Sequence, residues 1–208
     1  MTHPLFEKYF GACPLVTVIR GVTPAEAEAV AEAIFEAGIR IIEVPLNSPE
    51  PLKSIEKLAK RMGDRALIGA GTVLNRQQVA DVKAAGGQII VSPNTNSDVI
   101  AASVESELVS CPGYFTPSEG FAAIDAGAHA LKLFPAEAAT PAYVKAQRAV
   151  LPKDVPLLVV GSVKPELMGA WIEAGANGFG LGSGVFKPGK TPEQVLDSAR
   201  AYVAALRR

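Results

Sequence analysis

The sequence predicts an α/β protein, and within that class a closed (β/α)8 TIM barrel, on three observations. First, four Ala-Gly pairs recur along the chain, Ala37-Gly38, Ala85-Gly86, Ala126-Gly127 and Ala174-Gly175, each closing a helical pattern just before a short apolar run. Glycine just past a helix end takes the left-handed conformation that caps it, so each pair joins a helix to the next strand. Second, Thr23-Pro24-Ala25-Glu26, Thr116-Pro117-Ser118-Glu119 and Thr191-Pro192-Glu193-Gln194 each set a capping threonine, a proline at the first helical position and an acid or amide at the third. Asn75 with Gln78, Ser48 with Pro49 and Thr140 with Pro141 extend that series in weaker form. Third, eight short apolar runs lie between these signals. Apolar strands alternating with helices imply a parallel sheet covered by helices, and eight of them favour closure. The alternative is an open doubly wound sheet. It is disfavoured because Ile19-Arg20-Gly21-Val22-Thr23-Pro24, rather than a glycine fingerprint, follows the first strand.

In chain order, residues 1–11 fall outside the eight units and are read as an extra N-terminal segment, a helix over the barrel bottom. Strands are expected at residues 15–19, 39–44, 67–69, 88–91, 108–110, 130–133, 157–160 and 178–181. The helix after the first strand opens at Thr23 and closes at Gly38, and Ser48-Pro49 opens the next. Asn75 opens the third, which closes at Gly86. Thr116 and Gly127 bracket the helix before the sixth strand, Thr140 opens the one after it, Gly175 closes the helix before the eighth strand, and Thr191 opens the last. No linker or low-complexity stretch divides the chain, so residues 1–208 are expected to form one domain.

Composition narrows the function. A net charge of -1 gives no electrostatic case for nucleic acid or an anionic membrane, which leaves small molecules or further copies of the chain as partners. Cys13 and Cys111 are too few and too far apart for a disulfide framework or a zinc site, and a reducing compartment fits them. The N-terminus has no basic stretch leading into an apolar core, and no apolar run approaches membrane-spanning length, so a cytoplasmic protein is expected. The histidines are His3, in the N-terminal tail, and His129, just before the sixth strand and read as a surface residue on the side away from the site. Metal chemistry and a bound cofactor are therefore not expected.

In a barrel, function collects where strands end and βα loops begin. Lys132 stands in the apolar run Ala130-Leu131-Lys132-Leu133-Phe134-Pro135, and Glu43 in Ile41-Ile42-Glu43-Val44-Pro45. Two readings fit each. Lys132 is either a strand-end lysine snorkelling to solvent or a desolvated amine able to attack a carbonyl. Together the two residues are either a buried ion pair or a nucleophile beside a proton-transferring carboxyl group. Gly161-Ser162 and Gly182-Ser183-Gly184, after strands seven and eight, stand where many barrels bind phosphate through backbone N–H groups. Arg20 and Thr72 suit a substrate carboxylate or an oxyanion, and equally a loop hydrogen bond or rim salt bridge.

Ile19-Arg20-Gly21, Glu43-Val44-Pro45-Leu46-Asn47-Ser48-Pro49, Gly69-Ala70-Gly71-Thr72-Val73-Leu74, Ser92-Pro93-Asn94 and Lys132-Leu133-Phe134-Pro135-Ala136 together resemble the 2-keto-3-deoxy-6-phosphogluconate and 6-phosphogalactonate aldolases. The resemblance covers the chain from about Leu15 onward. It implies a class I aldolase in which Lys132 forms a Schiff base with pyruvate and Glu43 is the general acid and base. It implies also that Arg20, Thr72 and Pro93 line the pyruvate region, that Phe134 and Val160 touch substrate, and that Gly161, Ser162, Gly182 and Ser183 hold its phosphate. A homotrimer acting on a phosphorylated keto-deoxy sugar acid is the implied assembly and partner. Pro45-Leu46-Asn47-Ser48 and Val160 are similar to galactonate-type members, so the galacto substrate is expected. The gluco epimer, a shorter hydroxy-oxo acid, a non-covalent isomerase or epimerase barrel and a ligand-binding barrel are the alternatives. The family commonly has two glycines after strand seven, and the second is Ser162 here. If the backbone needs a positive φ there, serine is strained and the phosphate contact weakens or passes to the hydroxyl.

Overall fold

The computed structural model describes residues 3–206. The N-terminal helix α1 (Pro4–Ala12) precedes β1 (Leu15–Val18), and strands and helices then alternate: α2 (Ala27–Ala37), β2 (Ile41–Pro45), α3 (Pro51–Met62), β3 (Leu67–Gly71), α4 (Arg76–Ala84), β4 (Ile89–Val91) and α5 (Ser97–Glu105). β5 (Val109–Cys111) and β6 (Gly113–Tyr114) follow in immediate succession. Then come α6 (Pro117–Asp125), β7 (Leu131–Leu133), α7 (Pro141–Arg148), β8 (Leu157–Val160), α8 (Met168–Glu173), β9 (Gly178–Leu181) and α9 (Pro192–Ala205).

The strands form one parallel sheet in the order β5-β4-β3-β2-β1-β9-β8-β7-β6. Its two outer members are the halves of one broken strand: β5 falls where the fifth strand was expected, whereas β6 lies beyond that strand's expected end at Ser110. Pro112 between them has no N–H for a ladder, so the strand bends there, with β5 paired to β4 and β6 paired to β7. The N–H groups of His129 and Lys132 donate across the joint to the carbonyls of Ser110 and Pro112, each at 2.9 Å, and the sheet closes. The barrel therefore has eight strands, one of them broken.

Alternation along the strands sorts the core into two clusters. Ile42, Val44, Leu131, Leu133, Leu157 and Val159 face outward onto the helices. Val16, Ile41, Leu67, Ile89, Val109 and Leu158 face inward. Phe6 and Tyr9 of α1 join the inward cluster, so this helix stoppers the barrel bottom as its sequence suggested. Gly178 makes room for it, because a Cβ there would stand 2.6 Å from the ring of Phe10. Burial of Phe6 alone contributes about 2 kcal/mol.

All four Ala-Gly glycines take positive φ, at 111°, 84°, 97° and 107°, as the repeat requires. Thr116 and Thr191 each complete a capping box, and Asn75 and Thr140 cap their helices. Two expected starts differ. Glu26 reaches back to the Thr23 N–H at 2.9 Å, but the Thr23–Glu26 segment is a turn and α2 begins after it. Ser48 caps nothing; its hydroxyl accepts the Gly21 N–H at 3.0 Å and ties two site loops together. Among the described residues no helix is long and apolar enough to cross a membrane.

Candidate active site

Glu43 and Lys132 both point into the barrel, where they are 1% and 7% exposed. Glu43 sits on the inward face of β2 with Ile41, and Lys132 lies between the outward-facing Leu131 and Leu133. Together they border a small space that Val16, Val91, Cys111 and Leu158 also line. They form no ion pair within 4.0 Å, and Oε2 of Glu43 is buried without a hydrogen-bond partner. A Cβ on Gly71 would stand 1.9 Å from that same oxygen, so the glycine of β3 is what admits the carboxyl group.

Burial governs the electrostatics. Loss of solvent pushes the Glu43 carboxyl up to about 7, against the pull of the Lys132 and Arg20 charges. The same loss of solvent lowers Lys132 from the usual lysine range, although Glu43 works against the shift. An amine eased toward neutrality beside a carboxyl group poised near neutral pH can attack a carbonyl and move protons in both directions. The Cys111 thiol, pushed up to about 12 chiefly by burial, stays protonated and packs as an apolar group.

Above this pair opens a cleft of about 540 Å³. Loops after β1, β3 and β4 bring Arg20, Thr72 and Pro93 to it, while β7 and its end supply Lys132 and Phe134. Val160, Gly161 and Ser162 come from the end of β8, and Gly182 and Ser183 from the end of β9. Every site residue named from the sequence is thus gathered at one mouth, except Glu43, which lies one layer deeper and meets the cleft through Lys132. Arg20 is held in place by hydrogen bonds to Asn47 and, at 3.5 Å, to the Thr72 hydroxyl. Thr72 has φ 58°, a left-handed conformation that costs a β-branched residue and fixes its hydroxyl at the rim. The Lys132 ammonium stands 4.9 Å from the centre of the Phe134 ring, and that ring is 37% exposed in the cleft.

A protein-family model described as KDPG and KHG aldolase matches residues 7–196. The chain belongs to the KDPG and KHG aldolase family. The aldolase is 46% identical to the 2-dehydro-3-deoxy-6-phosphogalactonate aldolase of Escherichia coli (strain K12), over 93% of this chain and 95% of that one. A solved structure of native KDPGal superposes on it with a TM-score of 0.92 at 46% identity, covering 93% of this chain and 94% of the other. A cube-shaped protein cage designed by fusing symmetric oligomeric domains matches at 46% identity and a TM-score of 0.91, over 93% of this chain and 72% of the cage chain.

The aldolase cleft also contains residues that the sequence did not announce. Glu137, Lys187 and Pro188 line it. Pro188 packs so closely on the first βα loop that a Cβ on Gly21 would stand 2.8 Å from its ring. Ser162 is not strained: positive φ among the described non-glycine residues falls on Glu50, Thr72 and Glu107 instead. Its N–H and its hydroxyl both donate to Oε1 of Glu137, each at 2.7 Å. The only sequence signal for that contact was the serine itself, standing where a glycine is usual.

His129 differs from its expected surface position. Its Nδ1 accepts the Ser110 N–H at 2.9 Å and its ring meets that of His3 edge-on at 5.1 Å, so it is half-buried at the barrel bottom. Burial, then the neighbouring His3, lower it to about 4. Among the described residues no group of three histidine, cysteine or acidic side chains is placed to hold a metal ion.

Proposed function

We propose that the chain is a class I aldolase that reversibly cleaves 2-dehydro-3-deoxy-6-phosphogalactonate to pyruvate and glyceraldehyde 3-phosphate. The observation that carries this reading is the buried, unpaired juxtaposition of Glu43 and Lys132 beneath an open cleft. A structural ion pair would bring the two charges together; here they share a space without pairing, which suits groups that exchange protons with a substrate.

Lys132 Nζ attacks the C2 ketone, and the carbinolamine loses water to an iminium. As the C3–C4 bond breaks, the C4 hydroxyl gives up its proton and the electron pair of the bond passes into the iminium, leaving an enamine and releasing the aldehyde. Glu43 relays the protons. Protonation of the enamine at C3 and hydrolysis return pyruvate and free lysine. Arg20 and Thr72 suit the substrate carboxylate, and the backbone after β8 and β9 suits the distal phosphate. The galacto substrate is supported by the E. coli relative's name and by Val160, which offers the substrate no hydroxyl. A homotrimer is part of the proposal, supported by the symmetric oligomeric domains from which the related cage was designed. Light scattering should then return three times the 21.7 kDa chain mass, and a monomeric mass would remove the trimer.

Borohydride reduction in the presence of pyruvate tests the mechanism. Intact mass and peptide mapping should find one reduced pyruvate adduct, on Lys132, and Lys132→Ala should lose both the adduct and cleavage while keeping the wild-type circular dichroism. Wild-type-like cleavage by that variant would defeat the Schiff-base reading. The ratio of kcat/KM for the galacto and gluco epimers decides the substrate.

A further inference from the structure

We propose that Glu137 is a specificity-determining residue for the distal end of the substrate: its carboxylate occupies the Ser162 donors that a substrate phosphate would use, and so weakens the preference for phosphorylated substrates. This rests on the aldolase reading of the cleft and adds to it a residue that the reading does not require.

Three observations carry the proposal. The first is occupancy. Ser162 presents a backbone N–H and a hydroxyl on the loop after β8, and both point at one oxygen of Glu137, each at 2.7 Å. Two donors converging on one anionic oxygen are the arrangement by which a protein binds a phosphate oxygen, here satisfied by the chain's own carboxylate. The second is fit. Glu137 lies along the loop as well as at its tip, because a Cβ on Gly161 would stand 2.5 Å from Oε2 and 2.9 Å from the Ala136 Cβ. Glycine at 161 therefore admits the carboxylate. The third is charge. Among the described residues no lysine or arginine comes within 4.0 Å of Glu137, so none of them pairs with its charge, yet it lines the same cleft as Gly182, Ser183 and Lys187.

An anion arriving at this loop meets a resident anion. It must either displace the carboxylate from Ser162, leaving Glu137 to swing into solvent, or bind beside it against like-charge repulsion. A substrate ending in a neutral hydroxyl meets neither cost. Glutamine at 137 keeps an oxygen for the Ser162 donors but removes the charge, whereas alanine frees the donors altogether.

The experiment compares kcat/KM for the 6-phosphorylated keto-deoxy sugar acid and for the same acid without phosphate, in the full-length wild type, Glu137→Gln and Glu137→Ala. Inorganic phosphate serves as a probe of the loop through its inhibition constant. The ratio of phosphorylated to unphosphorylated kcat/KM should rise about tenfold in Glu137→Gln, the scale of one charge-assisted hydrogen bond or its repulsive equivalent. The change should appear in KM rather than kcat, with the phosphate inhibition constant falling alongside it. Should the glutamine variant lose its circular dichroism, the alanine variant is expected to move the ratio in the same direction. A ratio that stays at the wild-type value or falls in the folded variants overturns the proposal, while the pyruvate adduct at Lys132 shows that the aldolase reading survives. Absence of that adduct in every protein, wild type included, sinks the aldolase reading and this inference with it.

Discussion

Gly71 is a residue whose missing side chain carries chemical weight. Glu43 is buried because β2 alternates it inward, but its carboxyl group fits only because the neighbouring strand offers no Cβ at Gly71, two residues beyond its register partner Gly69. Gly71→Ala should therefore leave circular dichroism unchanged and push the carboxyl group aside. A displacement near 1 Å is enough to cost about 100-fold in kcat/KM. Retention of full activity would show that the carboxyl group does not need its present seat. The inward direction of Glu43 and Lys132 was legible from two charges set in apolar strands at the right parity. The partnership of Glu137 with Ser162 was not, because the first reads as an ordinary charge after a strand and the second lies in the next βα loop. Only the parallel pairing of β7 with β8 brings those two loops together.

Among the elements, strand β7 and the short approach to it show what local pattern reveals and what it hides. The Ala126-Gly127 signal correctly ended α6 and started a strand. It gave no sign that His129, between them, would turn inward to accept the Ser110 N–H, since a polar residue before a strand is usually solvated. The consequence is a pH dependence of stability. His129 is held at about 4 in the fold and returns to about 6.5 when unfolded, so between those values the unfolded chain binds a proton that the folded chain does not. Its contribution is complete above pH 6.5 and is lost as pH falls toward 4. Thermal unfolding followed at pH 7 and pH 4.5 should show a larger drop in Tm for the wild type than for His129→Gln, and equal drops would assign the acid limb elsewhere. The fifth strand gives a similar lesson. Pro112 stands in the sequence without an N–H to pair, but the strand was expected to stop at Ser110, and its resumption as β6 beyond the proline was not read.

At the scale of the whole molecule, the repeat of helix stops and starts was enough to give a barrel, because four capping glycines and two complete capping boxes punctuate the chain at the places where the architecture needs them. The mouth was legible for a related reason: in a parallel barrel every strand delivers its last residues to one end, so listing those residues lists the site. The fold-level reading could not supply the depth ordering within that mouth, in which Glu43 lies beneath Lys132 and the two glycine loops stand above. Depth follows from which inward layers are filled by large side chains and which by glycine.

The helix that stoppers the far end of the barrel turns this depth ordering into a rule of traffic. With Phe6 and Tyr9 plugging the bottom, the described residues leave the mouth as the way to Lys132, and whatever is tethered there sits behind whatever occupies the loops after β8 and β9. In cleavage the aldehyde must depart while the three-carbon fragment is still held, and in synthesis the three-carbon acid must enter before its partner. Steady-state product inhibition should record the queue: pyruvate competitive with the sugar acid, the aldehyde noncompetitive. The reverse pattern would mean that the inner passenger has a second way out.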